Sequence, residues 1–189
     1  MSKKYYDDKE FVNEDFSASL EISEYDNCLF KNCSFANANL SMWTFTNCAF
    51  DGCDFSLAKL NRTGISNANF VACKLLGLHF EDSNAIVFSA SFKNCNLNLS
   101  SFFKMKIRKM IFSNSSLQEV DFTNADLTES VFRECDLLKA HFENTILDKV
   151  DFRSSFNFSL NPDLNRLKKT QFSRDTVTGL LHHLDIIIE

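Results

Sequence analysis

The side chains of this chain best suited to chemistry are its seven cysteines: Cys28, Cys33, Cys48, Cys53, Cys73, Cys95 and Cys135. Thiolates can hold zinc, attack electrophiles or pair as disulfides. The spacing argues against a zinc site. There is no Cys-x-x-Cys, and no histidines stand at ligand spacing beside the thiols. Each cysteine lies two positions before a large apolar residue. The same slot elsewhere holds Ala38, Ala58, Thr63, Ala68, Ser100 and Ser115. Cysteine is therefore read as a small hydrophobe in a tight interior position, with its thiol free. The four histidines fare no better. His79 and His141 precede large apolar residues, and His182 and His183 fall near the C-terminus, all as solvated side chains. No Gly-x-Ser-x-Gly, phosphate loop or His-Glu-x-x-His occurs. The sequence predicts no catalytic residues, no metal, no cofactor and no enzyme.

The carboxylates remain. The chain has 189 residues and a formal net charge of −5, which argues against direct nucleic-acid binding by the molecule as a whole. The charge is unevenly placed. Between Ser83 and Leu117 there is no acid, but Lys93, Lys104, Lys106, Arg108 and Lys109 are present. Then come Glu119, Asp121, Asp126, Glu129, Glu134, Asp136, Glu143, Asp148 and Asp151 against Arg133, Lys139 and Lys149. That acidic run is the candidate partner-binding surface. Copying the charge density of duplex DNA over a rod about 32 Å long would need roughly 19 negative charges. The net charge falls well short, so any resemblance to a duplex is local.

These residues are positioned by a repeat. A large apolar residue returns every five positions from Phe30 through Phe35, Leu40, Phe45 and on to Phe80. After a two-residue excess near Glu81–Ile86 the step resumes at Val87 and runs to Phe152. Five is the period of neither a strand nor a helix, and a fixed internal repeat marks a solenoid. If the large residue and the small one two places earlier face inward, the other three face outward and the chain bends at every step. Four bends make a lap of about 20 residues, with strand-like rungs about 4.8 Å apart. One column then reads Phe30, Phe50, Phe70, Phe92, Phe112, Phe132, Phe152. Asn32, Asn47, Asn94, Asn114, Asn124 and Asn144 suit the corners. Trp43, Leu78, Met105, Met110, Val120 and Val150 put bulk in the small slot, so there the core widens or the side chain swings out.

The ends depart from the step. Residues 1–15 read as an N-terminal extension, 16–155 as the repeat body and 156–189 as a C-terminal cap and dimerisation segment. The N-terminus carries no signal-peptide pattern and no stretch is long and apolar enough to span a membrane, so a cytoplasmic location is expected. Ser173 reads as an N-cap, followed by an α-helix from about Arg174 to His183. Val177, Leu180, Leu181 and Leu184 make one stripe on it. With Ile186 and Ile188 of the tail, these form the expected interface of a two-fold homodimer, the alternative being an intramolecular cap on the last coil.

The segments Ala38-Asn39-Leu40-Ser41, Ala68-Asn69-Phe70, Ala125-Asp126-Leu127-Thr128 and Cys135-Asp136-Leu137 resemble the pentapeptide-repeat proteins. The resemblance covers about Phe16–Phe152 and implies an all-β right-handed quadrilateral β-helix. The ending Gly179-Leu180-Leu181 with Asp185-Ile186-Ile187-Ile188-Glu189 is similar to the dimerisation module of the quinolone-resistance (Qnr-type) branch. That branch implies a DNA-mimicking rod that binds DNA gyrase or topoisomerase IV and protects it from quinolones. The other reading of the same residues is an interaction scaffold for a different protein.

Overall fold

The computed structural model describes residues 3–18, 21–184 and 186–187. Its strands are short: β1 (Lys4–Asp7), β2 (Glu10–Val12), β3 (Ser23–Asp26), β4 (Leu29–Lys31), β5 (Thr44–Thr46), β6 (Ala49–Asp51), β7 (Gly64–Ser66), β8 (Ala68–Val71), β9 (Ala90–Lys93), β10 (Ile111–Ser113) and β11 (Val131–Arg133). All pairings are parallel. One sheet runs β1-β3-β5-β7 and the other β2-β4-β6-β8-β9-β10-β11. Single bridges complete two more sides. One climbs Asp15, Ser34, Asp54, Lys74, Asn96, Ser116, Asp136, Phe156, and the other includes His79, Ser101, Asp121, His141. The first side continues upward through Lys106, Asp126, Ile146 and Arg166. The result is the four-sided parallel β-helix that the five-residue step predicts. We number its sides one to four in chain order, beginning with the side of β1.

Corners explain how the chain turns so often. The second residue after most large centres has positive φ, near +50 to +65°, the exceptions including Asp82 after Phe80 and Ser154 after Phe152. That is costly for most side chains and least so for asparagine. All six corner asparagines expected from sequence adopt it, from 49° at Asn114 to 60° at Asn124.

Rings twenty residues apart stack. Phe112 lies 5.3 Å from Phe92 and 4.9 Å from Phe132, with interplanar angles of 11° and 8°. On the fourth side Phe80, Phe102, Phe122 and Phe142 stack at 4.5, 5.4 and 5.2 Å. Rings of adjoining sides meet edge to face, Phe112 against Phe102 at 5.9 Å and against Phe122 at 6.1 Å. The bulky occupants of the small slot, Trp43 and Met110 among them, are buried inside the core.

The small slot does more than save space. Cys53, Cys73 and Cys95 each aim the thiol at the carbonyl of a centre on the lap below, Phe30, Phe50 and Phe70, each at 3.4 Å. Hydroxyls do the same at Thr63 (to Leu40, 2.8 Å), Ser130 (to Ile107, 3.1 Å) and Thr145 (to Phe122, 2.9 Å). Where the slot holds one of these donors it adds a hydrogen bond to the lap below, and where it holds alanine it is filled by size alone. All seven cysteines are buried and free. Burial pushes the Cys48 thiol up to about 12 and the Cys135 thiol up to about 11. Cys73, with Cys53 and Cys95 on neighbouring rungs, is also raised. The Cys73 thiol lowers those of Cys53 and Cys95, but they are buried as deeply as the other five, and a thiol shut away from solvent does not meet a reagent. An aromatic disulfide reagent at neutral pH is therefore expected to titrate none of them in the native protein and all seven in denaturant. Fast labelling of even one native thiol would contradict this packing.

Four expectations need correction. The ladder starts earlier than the repeat was read to start: β1 and β2 pair with β3 and β4 nineteen positions on, so Tyr6 stacks on Tyr25 at 5.0 Å and Phe11 on Phe30 at 4.9 Å. Val87 is not a core centre. The lap from β8 to β9 is longer, residues 84–87 loop out, and the half-buried Phe88 turns inward to meet Phe80 at 5.7 Å. The ladder does not stop at Phe152 but continues to Gln171, with Phe172 stacked on Phe152 at 5.6 Å. Finally, the segment 174–183 is not an α-helix. Ser173 does open a turn, accepting from the Thr176 amide at 3.2 Å. The chain then forms only a 3-10 helix, Val177–Leu180. So short a helix lacks cooperative length, and tertiary contacts bend it. The Gly179 carbonyl accepts from the Leu160 amide at 3.0 Å, and Gly179 sits so tightly on Phe158 that a Cβ would lie 2.5 Å from its carbonyl oxygen.

Candidate functional site

The ladder decides what each outward carboxylate meets. On the first side, Asp126 lies below Ile146 and Arg166. It is almost covered, and Arg108 reaches it from the previous lap with N···O 2.6 Å. One lap up, Asp148 is held by Arg166, whose Nε donates to Oδ1 at 3.0 Å. Burial tends to raise the Asp126 carboxyl, but the Arg108 and Thr128 hydrogen bonds outweigh it and the net shift is downward. The Arg166 hydrogen bond likewise lowers Asp148. At the corner between the first and second sides, Glu129 lies 2.7 Å from Lys149 and 3.7 Å from Lys109. Asp151, on the second side, is held by Arg153 at 2.8 Å.

The other five expected acids are placed differently. Asp136 is on the third side and Asp121 on the fourth, each fixed by a bridge to its neighbouring lap. Glu134 occupies the corner between the second and third sides, Glu119 the corner between the third and fourth, and Glu143 follows Phe142 on the fourth. Among the described residues none of these five makes an ion pair. Asp136 is instead tied to neutral donors, Gln118 at 2.7 Å and Asn157 at 2.8 Å. The nine acids therefore divide in two: four neutralised on the first two sides, and five uncompensated on the third and fourth sides and their corners. Residue order along the chain does not reveal this division. A basic residue 18 or 20 positions away accompanies three of the paired acids, in Arg108–Asp126, Asp148–Arg166 and Glu129–Lys149, but Lys139 stands at the same spacings from Asp121 and Glu119 without pairing them, so spacing alone does not find the division.

The rest of the molecule offers little else. Among the described residues, no three His, Cys, Asp or Glu side chains converge as a metal cluster, and no helix is long and apolar enough to cross a membrane. At the C-terminus Val177, Leu181, Leu184, Ile186 and Ile187 are exposed, whereas Leu180 is half-buried against the core. Ile188 lies outside the described residues.

Comparison with known proteins places this geometry. A family profile described as "Pentapeptide repeat region" matches residues 85–156, and one described as "Pentapeptide repeats (8 copies)" matches residues 44–77. The solved structure of a trypsin-treated variant of QnrB1, a plasmid-mediated fluoroquinolone resistance protein, superposes with a TM-score of 0.64 at 18% identity, covering 98% of each chain. HetL, a pentapeptide repeat protein involved in heterocyst differentiation regulation from the cyanobacterium Nostoc sp. strain PCC 7120, superposes at 0.59 with 15% identity, covering 90% of this chain and 86% of HetL. At such identities the likeness is one of fold. No curated protein matches the sequence.

Proposed function

The chain belongs to the pentapeptide-repeat proteins, and from that premise we propose that it is a homodimeric rod whose acidic side docks on a type II topoisomerase in place of duplex DNA. The observation that carries this reading is the segregation of Glu119, Asp121, Glu134, Asp136 and Glu143 onto adjoining sides, where no cation among the described residues pairs with them. A basic saddle built for phosphates accepts such a surface by charge complementarity. The fold shared with QnrB1, a fluoroquinolone resistance protein, supports the choice of partner class. The test is a gyrase supercoiling assay with and without a fluoroquinolone. Micromolar protein is expected to change either the supercoiling or its drug sensitivity, and no change in either would refute the proposal.

The exposed leucines and isoleucines at the C-terminus support the dimer, since an apolar strip beside polar coils is covered by a like strip in a two-fold contact. Leu181→Asp with Leu184→Asp is expected to give a monomer by light scattering without loss of fold. Leu180 is unsuitable for this test because it packs on its own core. A dimer mass that survives both changes would place the interface elsewhere.

An interaction scaffold for another protein is the second reading, and the fold shared with HetL, a protein involved in differentiation regulation, favours it. Affinity capture that enriches one other protein and no topoisomerase would decide for it.

A further inference from the structure

We infer that the last four laps of the first side, opposite the third, are a second binding surface, basic in character and fitted to the phosphate backbone of duplex nucleic acid; the earliest laps of that side, with Asp7, Glu24 and Asp26, lie outside it. The net charge of −5 describes an average and conceals this side. The bridges Lys106–Asp126–Ile146–Arg166 put four successive laps in register. Arg108 and Lys168 stand on the same side, and Lys109, Lys149 and Lys169 turn its corner with φ of 59°, 58° and 60°.

Seven cations thus share the patch with three carboxylates, Asp126, Glu129 and Asp148. What matters is the depth of each. The Asp126 side chain is 8% exposed under an Arg108 side chain that is 62% exposed, and Asp148 is 10% exposed under Arg166 at 64%. The acids form an inner layer that holds the guanidinium groups in place, and the arginines form the layer that meets solvent. Glu129, 36% exposed, is flanked by the more exposed Lys109 and Lys149 at 76% and 55%. An incoming anion therefore meets positive charge first.

The dimensions suit a duplex. Three rises between four laps span about 14 Å, a length over which a duplex carries roughly eight phosphates at one per about 1.7 Å. Arginine forks and lysine ammonium groups are the usual partners of phosphate oxygens. An acidic protein surface would satisfy the charge as well, but its carboxylates have no fixed repeat to match parallel rungs. This surface is independent of the topoisomerase reading, since it uses the side that carries none of the five uncompensated acids.

The probe is a fluorescent DNA duplex of about two helical turns, followed by anisotropy. A surplus of about four cations predicts a fall in affinity of roughly a hundredfold between about 50 and about 200 mM salt. Lys168→Glu with Lys169→Glu is expected to weaken binding at least tenfold at low salt and flatten the salt slope, with an unchanged circular dichroism spectrum. Lys59→Glu with Lys74→Glu, on the fourth and third sides, is expected to bind as the parent does. Absence of duplex binding at about 50 mM salt would overturn the inference, as would a K168E/K169E protein that binds like the parent. Competition by polyglutamate as effective as by unlabelled duplex would overturn it too, since the surface would then answer to acidic polypeptide.

Discussion

Replacing Phe112 by alanine is expected to destabilise the protein by about 3–5 kcal/mol, the usual cost of removing a fully buried aromatic ring. The ring is 0% exposed and meets four others: Phe92 and Phe132 below and above, Phe102 and Phe122 edge-on. Neighbouring laps cannot collapse into the gap, because their spacing is set by backbone ladders on every side. Position along the rod matters as well. A solenoid is stabilised by contacts between nearest laps, so a weak lap in the middle separates two halves that each remain folded. Urea unfolding is therefore expected to shift to lower denaturant and to lose steepness. Phe156→Ala is the control. That ring is 44% exposed at the rim, and its removal is expected to cost about 1 kcal/mol or less. A Phe112→Ala loss as small as the control would mean that the stacked column is not the main source of stability.

The stacked column was legible because period and chemistry coincide: a phenylalanine at every twentieth position allows few other shapes. Corner asparagines were legible for a similar reason, since one residue type satisfies one backbone conformation. Other features depend on contacts that periodicity does not encode. Val87 continues the count but Phe88 enters the core, because the longer lap between β8 and β9 resets the phase and the larger ring fills the vacant space. The stripe Val177, Leu180, Leu181, Leu184 has helical spacing, yet Gly179 is pinned to Leu160 and Phe158 and the helix is not completed. The cysteine slot was recognised as small but not as a donor, because its acceptor is a carbonyl 23 to 25 positions back. The acidic run was visible as composition only. Which carboxylates remain available follows from pairing between laps, and that required the register.

Reversing three of the unpaired acids, Asp121→Lys, Asp136→Lys and Glu143→Lys, is expected to weaken binding to gyrase about a hundredfold, or roughly 2.7 kcal/mol. The reasoning is one of side. These residues sit on the third and fourth sides, where they pair with no cation among the described residues, so each contributes its full charge to an approaching basic surface. They form no ion pair, but Asp136 accepts from Gln118 and Asn157 and Asp121 accepts from the Thr123 amide, so the triple change is expected to cost about 1 kcal/mol for each such hydrogen bond, and circular dichroism must show that the variant is still folded when binding is read. Glu129→Lys changes the charge on the neutralised corner, between Lys109 and Lys149. It is expected to leave gyrase binding within about threefold while costing some stability through like-charge contact. Salt separates charge recognition from shape recognition: the parent should lose affinity steeply as ionic strength rises, and the triple variant should bind weakly at every salt concentration. Equal inhibition of supercoiling by parent and triple variant would show that the acidic side does not dock. A strong loss from Glu129→Lys with little from the triple change would place the contact on the first side instead.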